Sequence, residues 1–99
     1  MNSSYLNLLG LAFRARKCST GEEVIIRDIR RRRAELVILA RDIGRQTEKR
    51  LTDKCKTYGI PFLMADDTDV LSHAIGKEKR VAIAVLDEGF AKKIQTLLS

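Results

Sequence analysis

Two short, uninterrupted apolar runs, LVILA at 36–40 and VAIAVL at 81–86, are each closed off by charged residues on both sides. Neither run alternates apolar with polar residues. Both are too short for a buried helix and rich in branched side chains, so they read as strands covered on both faces. A chain that carries such strands needs helices above and below one sheet, and the remaining pattern supplies them.

Tyr5, Leu8, Leu9 and Ala12 recur at helical spacing, with Ser3 and Ser4 in place to cap the start. Arg14, Arg16 and Lys17 suit the negative end of that helix. A short extended piece around Cys18 follows. Thr20 followed by Glu23 has the spacing of a capping box and predicts a second helix. Its expected buried face is Val24, Ile25 and Ile29. Arg27, Arg30 and Arg31 fall on its exposed sides, and four arginines at 30–33 close it. A third helix is expected over Arg45–Tyr58, with Leu51, Cys55 and Tyr58 inward. Gly59 fits the residue after the helix, and Pro61 stops any continuation.

Phe62–Met64 reads as another short strand. Asp66, Asp67 and Asp69 surround the start of a short helix carrying Val70, Leu71 and Ala74 and ending at Gly76. Asp87 is placed to cap a last helix whose inner face is Phe90, Ile94, Leu97 and Leu98. Helices thus alternate with short strands, an order that implies an α/β fold with a small central sheet between helices. At 99 residues, one domain spanning 1–99 is expected.

Charge narrows the partner. Nineteen Lys and Arg against thirteen Asp and Glu leave +6, an excess that attracts polyanions. Nucleic acid is the first candidate and an anionic membrane surface the second. Cys18 and Cys55 lie far apart with no metal-ligand spacing, so reduced thiols, no metal and a cytoplasmic setting are expected. The apolar stretch at 6–13 is too short to span a bilayer, and its basic flank follows it rather than preceding it, unlike a secretory signal.

Catalytic chemistry finds little support. His73 has no nucleophile placed beside it by sequence. The acidic group at 66–69 lacks the Gly and distal Glu of a calcium loop, and helix capping explains it more simply. No glycine-rich phosphate motif occurs, so no cofactor is expected and the chain is read as a non-enzyme. Two exposed clusters stand out instead: GEEVIIR at 21–27 with the arginines behind it, and GKEKR at 76–80 before the last strand. Rigidly mounted loops of this kind are where binding residues concentrate.

These segments, taken in order, resemble the kink-turn-binding ribosomal protein family of the archaeal seven-Ae type, and most of all its bacterial branch. The resemblance runs through GLA at 10–12 with RARK at 14–17, GEE at 21–23, AELVILARD at 34–42, CKTYGIPF at 55–62 and AIGK at 74–77. It covers nearly the whole chain. It implies a three-layer α/β/α sandwich around a mixed sheet of about four strands. It also implies binding to kink-turns, RNA duplexes sharply bent at a bulge and followed by sheared G·A pairs.

In the family's contact motif, Gly21 keeps the glycine and Arg27 takes the place of a lysine. Glu23 stands where the family has Asn, and Val24 where it has Glu. Glu23 accepts hydrogen bonds but cannot copy Asn as a donor. The turn at 77–80 matches the loop that cups the flipped-out bulge nucleotide. That loop is apolar in archaeal relatives and charged here, which favours backbone contact over packing on a base. RNA contact is therefore expected at Gly21, Glu23, Arg27, Lys77, Glu78, Lys79 and Arg80 from the resemblance, and at Glu22 and Arg30 from their places in the exposed cluster and the arginine run. Arg41 and Arg45, just past the second strand, are placed to meet phosphate. Structured RNA, with ribosomal RNA as a source, is the expected partner of a monomer that has no membrane association. The alternative is a protein-interaction module of the same fold that has lost specific RNA recognition.

Overall fold

The structure is a computed structural model and describes residues 4–98. Nine elements follow in chain order: α1 (Ser4–Arg14), β1 (Cys18–Thr20), α2 (Glu22–Arg30), β2 (Leu36–Leu39), α3 (Arg45–Tyr58), β3 (Phe62–Met64), α4 (Thr68–Ala74), β4 (Ala82–Val85) and α5 (Glu88–Leu98). The strands form one mixed sheet in the order β1-β4-β2-β3. β4 runs antiparallel to both β1 and β2, and β2 runs parallel to β3. The two apolar runs therefore hold the two central strands, and every residue of β2 and β4 is buried.

Successive strand residues face opposite sides of a sheet, and the core divides accordingly. Leu36, Ile38, Ala40, Ile83 and Val85 pack with Tyr5, Leu9, Leu71, Ala91 and Ile94 on the side of α1, α4 and α5. Val37, Leu39, Ala82 and Ala84 pack with Ile25, Ile26, Ile29, Leu51 and Cys55 on the side of α2 and α3. Each fully buried Leu, Ile or Val side chain here contributes about 1.5–3 kcal/mol of transfer free energy.

Several sequence expectations meet their residues directly. Asp67 accepts from the Val70 N–H at 2.9 Å and caps α4, while Asp87 accepts from the Phe90 N–H at 2.9 Å and caps α5. Gly59 follows α3 at φ 69°, and the Ile60 N–H bonds back to the Cys55 carbonyl at 2.8 Å, closing a Schellman turn.

Other expectations give way. The capping box does not form: Gly21, not Thr20, is the N-cap of α2, and no side chain bonds there. Thr20 is committed to β1, where it pairs with Ile83, so the helix begins one residue later than the motif implies. Val24 is 36% exposed, and Ile26 takes its place in the buried face of α2. Leu97 is likewise 36% exposed; Ala91 and Ile94 are the buried residues of α5, and Phe90 and Leu98 pack against the core as expected. The first helix starts at Ser4; Ser3, its other expected cap, lies outside the described residues. No helix among the described residues is long and apolar enough to cross a membrane.

Candidate functional site

Strand directions determine what gathers at each end of the sheet. β1, β2 and β3 finish, and β4 begins, at the same end. Gly21, Arg80, Arg41 and Asp66, the residues next to those strand ends, therefore sit in one row across it. The chain turns there into α2, α3 and α4, so the starts of these helices face the same way.

The backbone at Gly21 has φ 92° and ψ 131°, a conformation essentially reserved for glycine. It lets the chain leave β1 and enter α2 without a Cβ at the exposed corner. With no side chain capping the helix, the first-turn N–H groups stay open to solvent or ligand.

The turn at 76–80 is fastened beside that corner. The buried Ser72 hydroxyl accepts from the Arg80 N–H at 2.8 Å, and the Arg80 side-chain Nε donates to Thr20 Oγ1 at 3.3 Å. Arg80 also donates through its guanidinium to the Glu78 carbonyl at 2.6 Å. Gly21, Glu22, Lys79 and Arg80 thus border one depression of about 180 Å³, floored by Leu51 and Ala82 with Thr47 on its wall. Lys79 is exposed and holds φ 55°, which turns it outward at the rim.

The other expected residues spread around this depression. Glu23, Arg27 and Arg30 follow one another along the exposed side of α2 at helical spacing. Arg27 lies 3.7 Å from the buried Asp28 carboxylate and keeps half its side chain in solvent. Lys77 turns away, its ammonium 5.8 Å from the centre of the Phe13 ring. Glu78 is exposed and lines a neighbouring hollow with Asp69 and His73. Arg41 lies elsewhere along the same sheet end, in a separate hollow with Tyr5, Met64 and Asp66. Arg45 opens α3 and is exposed.

Arg50 is the residue sequence reasoning missed. It reaches from α3 to the carboxylates of both Glu22 and Glu23, binding Glu23 through two nitrogens. Its hydrogen bond, ahead of the charge attraction, holds the Glu23 carboxyl below the usual range. The only local signal was its position beside the inward Leu51; the partners lie 27 and 28 residues back. On the far side of the row, Asp42 accepts from both the N–H and the hydroxyl of Thr68, at 2.8 and 2.7 Å. Those bonds hold its carboxyl low and lock the loop after β2 to α4.

Residues 4–95 match the model of the Ribosomal protein L7Ae/L30e/S12e/Gadd45 family. The chain belongs to this family. A curated relative from Bacillus subtilis (strain 168), RNA-binding protein YlxQ, is 50% identical over 91 residues, which cover 92% of this chain and 91% of the relative. An Enterococcus faecium relative of the same name is 40% identical over 93 residues, 94% of this chain and 89% of that one. The expected likeness to the family's bacterial branch therefore holds.

Among solved structures, a Bacillus halodurans C protein of unknown function superposes with a TM-score of 0.94 at 44% identity, covering 97% of both chains. The Giardia lamblia 15.5kD RNA binding protein superposes with a TM-score of 0.75 at 21% identity, over 93% of this chain and 85% of that one. At that identity the likeness concerns the fold, and it agrees with the α/β/α sandwich described above.

Proposed function

We propose that this family member binds structured RNA of the sharply bent kink-turn kind, docked at the sheet end where Gly21 meets Lys79. The observation that carries this reading is the Arg80–Thr20 bond, which holds a basic turn against an uncapped helix start. Family membership and the RNA-binding name of the YlxQ relatives support RNA as the partner class.

The physical fit is direct. Regular A-form RNA hides its base edges in a deep, narrow groove. A kink opens that groove to a helix start. There Gly21 allows close backbone approach, and Arg27 donates to guanine O6 and N7 or to phosphate. Glu23 accepts from a guanine N–H edge, while Lys79 at the rim takes phosphate. Arg30 and Arg41 extend the positive field along α2 and along the sheet end. Ribosomal RNA is the first source to test. Binding rather than catalysis also suits the thiols: burial pushes Cys18 up to about 12 and Cys55 up to about 11, away from nucleophilic use.

Low-salt titration of a kink-turn RNA tests the reading. Arg27→Gln with Lys79→Gln should weaken binding at least tenfold, the loss expected when two charge-assisted contacts worth about 1.4 kcal/mol together are removed. The same RNA with its sheared G·A pairs replaced by Watson–Crick pairs should bind more weakly. Equal affinity for the two RNAs would leave only a nonspecific polyanion binder or a protein-interaction module.

A further inference from the structure

The opposite end of the sheet carries charge that the proposed docking of kinked RNA does not use. β1 and β2 begin there, one after Arg16 and Lys17, the other after the arginines at 31–33. Both loops are fastened to the end of β4: the Lys17 carbonyl accepts from the Leu86 N–H at 2.7 Å, and the Glu35 N–H donates to the Val85 carbonyl at 2.8 Å. Two strand spacings, about 10 Å, therefore separate the two basic loops. That is about one Debye length at moderate salt, so their fields add.

The backbone shows how these cations are held out. Three non-glycine residues among those described have positive φ: Arg16 at 62°, Arg32 at 56° and Lys79 at 55°. All three are basic, whereas asparagine, aspartate and histidine are the side chains that ordinarily populate this region. Arg16 and Arg32 each occupy the left-handed position of a Schellman turn. Lys17 bonds back to Ala12 and Arg33 to Asp28, as Ile60 bonds to Cys55 around Gly59. Glycine does this work after α3, and arginine does it after α1 and α2. A long cation at such a site carries steric strain that glycine avoids.

Arg16, Lys17 and the arginines at 31–33 are exposed, and no ion pair found among the described residues includes them. Of the acids at this end, Asp87 is engaged by the Phe90 N–H and Glu88 by Lys92 at 2.9 Å, which leaves the half-buried Glu35 against five exposed cations. Arg32 lies over the Tyr58 ring at 5.6 Å, which fixes its guanidinium as a plane at the surface. None of the exposed large apolar side chains, Leu11, Val24, Met64 and Leu97, belongs to these loops. Stable anchoring on a membrane surface takes an apolar group beside the charge; a phosphate backbone needs only the guanidinium forks.

We propose that this end is a second RNA-binding surface, contacting the phosphate backbone of a duplex segment separate from the one docked at Gly21. The protein then bridges two RNA segments across a body 29 × 27 × 24 Å in extent.

The decisive variant replaces Arg16→Gly, Arg32→Gly and Arg33→Gln. Glycine suits both left-handed positions, so the turns and the melting temperature should survive. A plain RNA duplex, free of any kink, is titrated over a range of salt. The variant should bind at least tenfold more weakly at low salt. Its log–log salt slope should be shallower by about two to three, one unit for each lost phosphate contact. Lys49→Gln with Lys54→Gln and Lys93→Gln removes the same charge elsewhere and should bind nearly as wild type does.

Wild-type protein saturated with kink-turn RNA should still take up the plain duplex, and the variant so loaded should not. An equal loss in the charge-matched control, or no loss in the variant, overturns the proposal. So does an effect confined to phosphatidylglycerol vesicles. If kink preference is absent yet duplex uptake falls only in the Arg16, Arg32 and Arg33 variant, this surface stands while the docking end at Gly21 falls.

Discussion

The Ser72 hydroxyl holds Arg80 by both sides of its peptide backbone, accepting from the N–H at 2.8 Å and donating to the carbonyl at 3.3 Å. Ser72 is 3% exposed, so water does not replace it when it is lost. Ser72→Ala strands a buried donor and acceptor and should cost about 1–3 kcal/mol. Hydrogen exchange should quicken across residues 77–81 ahead of the sheet. Uniform protection, with no local change at the turn, would mean that the serine does not fasten it.

Gly21 tests the corner itself. Only a Val24 methyl, at 4.0 Å, stands within reach of an added Cβ, so any penalty is conformational rather than a clash. At φ 92° Gly21→Ala should destabilise the fold by about 1–3 kcal/mol in denaturant unfolding. Gly10→Ala is the contrast: its Cβ would lie 2.7 Å from the Ala74 carbonyl oxygen, so α1 and α4 must part. Its cost, of order 1–3 kcal/mol, arises from overpacking. Crystal structures of the two variants should differ accordingly, with helix displacement in Gly10→Ala alone.

The sandwich was legible because its strands are short, wholly apolar and bounded by charge, and because Asp67, Asp87 and Gly59 act through neighbours within five residues. What resisted reading depends on distance along the chain. Thr20 had two available roles, cap and strand, and pairing with Ile83 across β4 decided between them. Val24 and Ile26 are close in hydrophobicity, and only the position of α3 settles which one faces inward. The site was half legible: both basic clusters were evident, yet their meeting required the Arg80–Thr20 bond across 60 residues. Arg50 gave no local sign of its two acidic partners.

Arg50 makes the acidity of Glu23 testable. Its folded pKa is lowered, so this pair contributes stability above the ordinary glutamate pKa and loses it as pH falls through the lowered value. Carboxyl NMR titration should place Glu23 below a model glutamate, and Arg50→Gln should return it toward the ordinary range. High salt should do part of the same, because the pair is largely exposed. A Glu23 titration that ignores the Arg50 substitution would break the assignment.

The cysteines predict the opposite sign. Burial raises both thiols, to about 12 for Cys18 and about 11 for Cys55. Each stays neutral in the folded state above the pH at which the unfolded chain ionises. Their stabilising contribution is complete below about pH 8.5 and declines as pH rises toward 11 and 12. At pH 8 a thiol reagent should modify the native protein at least a hundredfold more slowly than the urea-unfolded protein. Rapid native labelling of Cys55 would contradict its placement on the buried face of α3, against α2 and the sheet.

Glu23 and Val24 offer the sharpest test of base recognition, because both face solvent, at 76% for the Glu23 side chain and 36% for Val24. Glu23→Asn with Val24→Glu restores the residues that the family's contact motif carries at these places. Neither change buries a polar group. The Arg50–Glu23 pair that is lost is a solvent-exposed one, which water and salt screen, so its loss should matter little to the fold. Asn both donates and accepts, so it reads a sheared pair in a way a carboxylate cannot. Preference for kink-turn RNA over its Watson–Crick counterpart should rise about tenfold, the lower end of what a well-placed side-chain pair discriminates. Affinity for plain duplex should stay nearly constant, since the double change adds no net charge. A preference that does not move would mean that the start of α2 reads no base edges, and that phosphate contact alone determines where this protein binds.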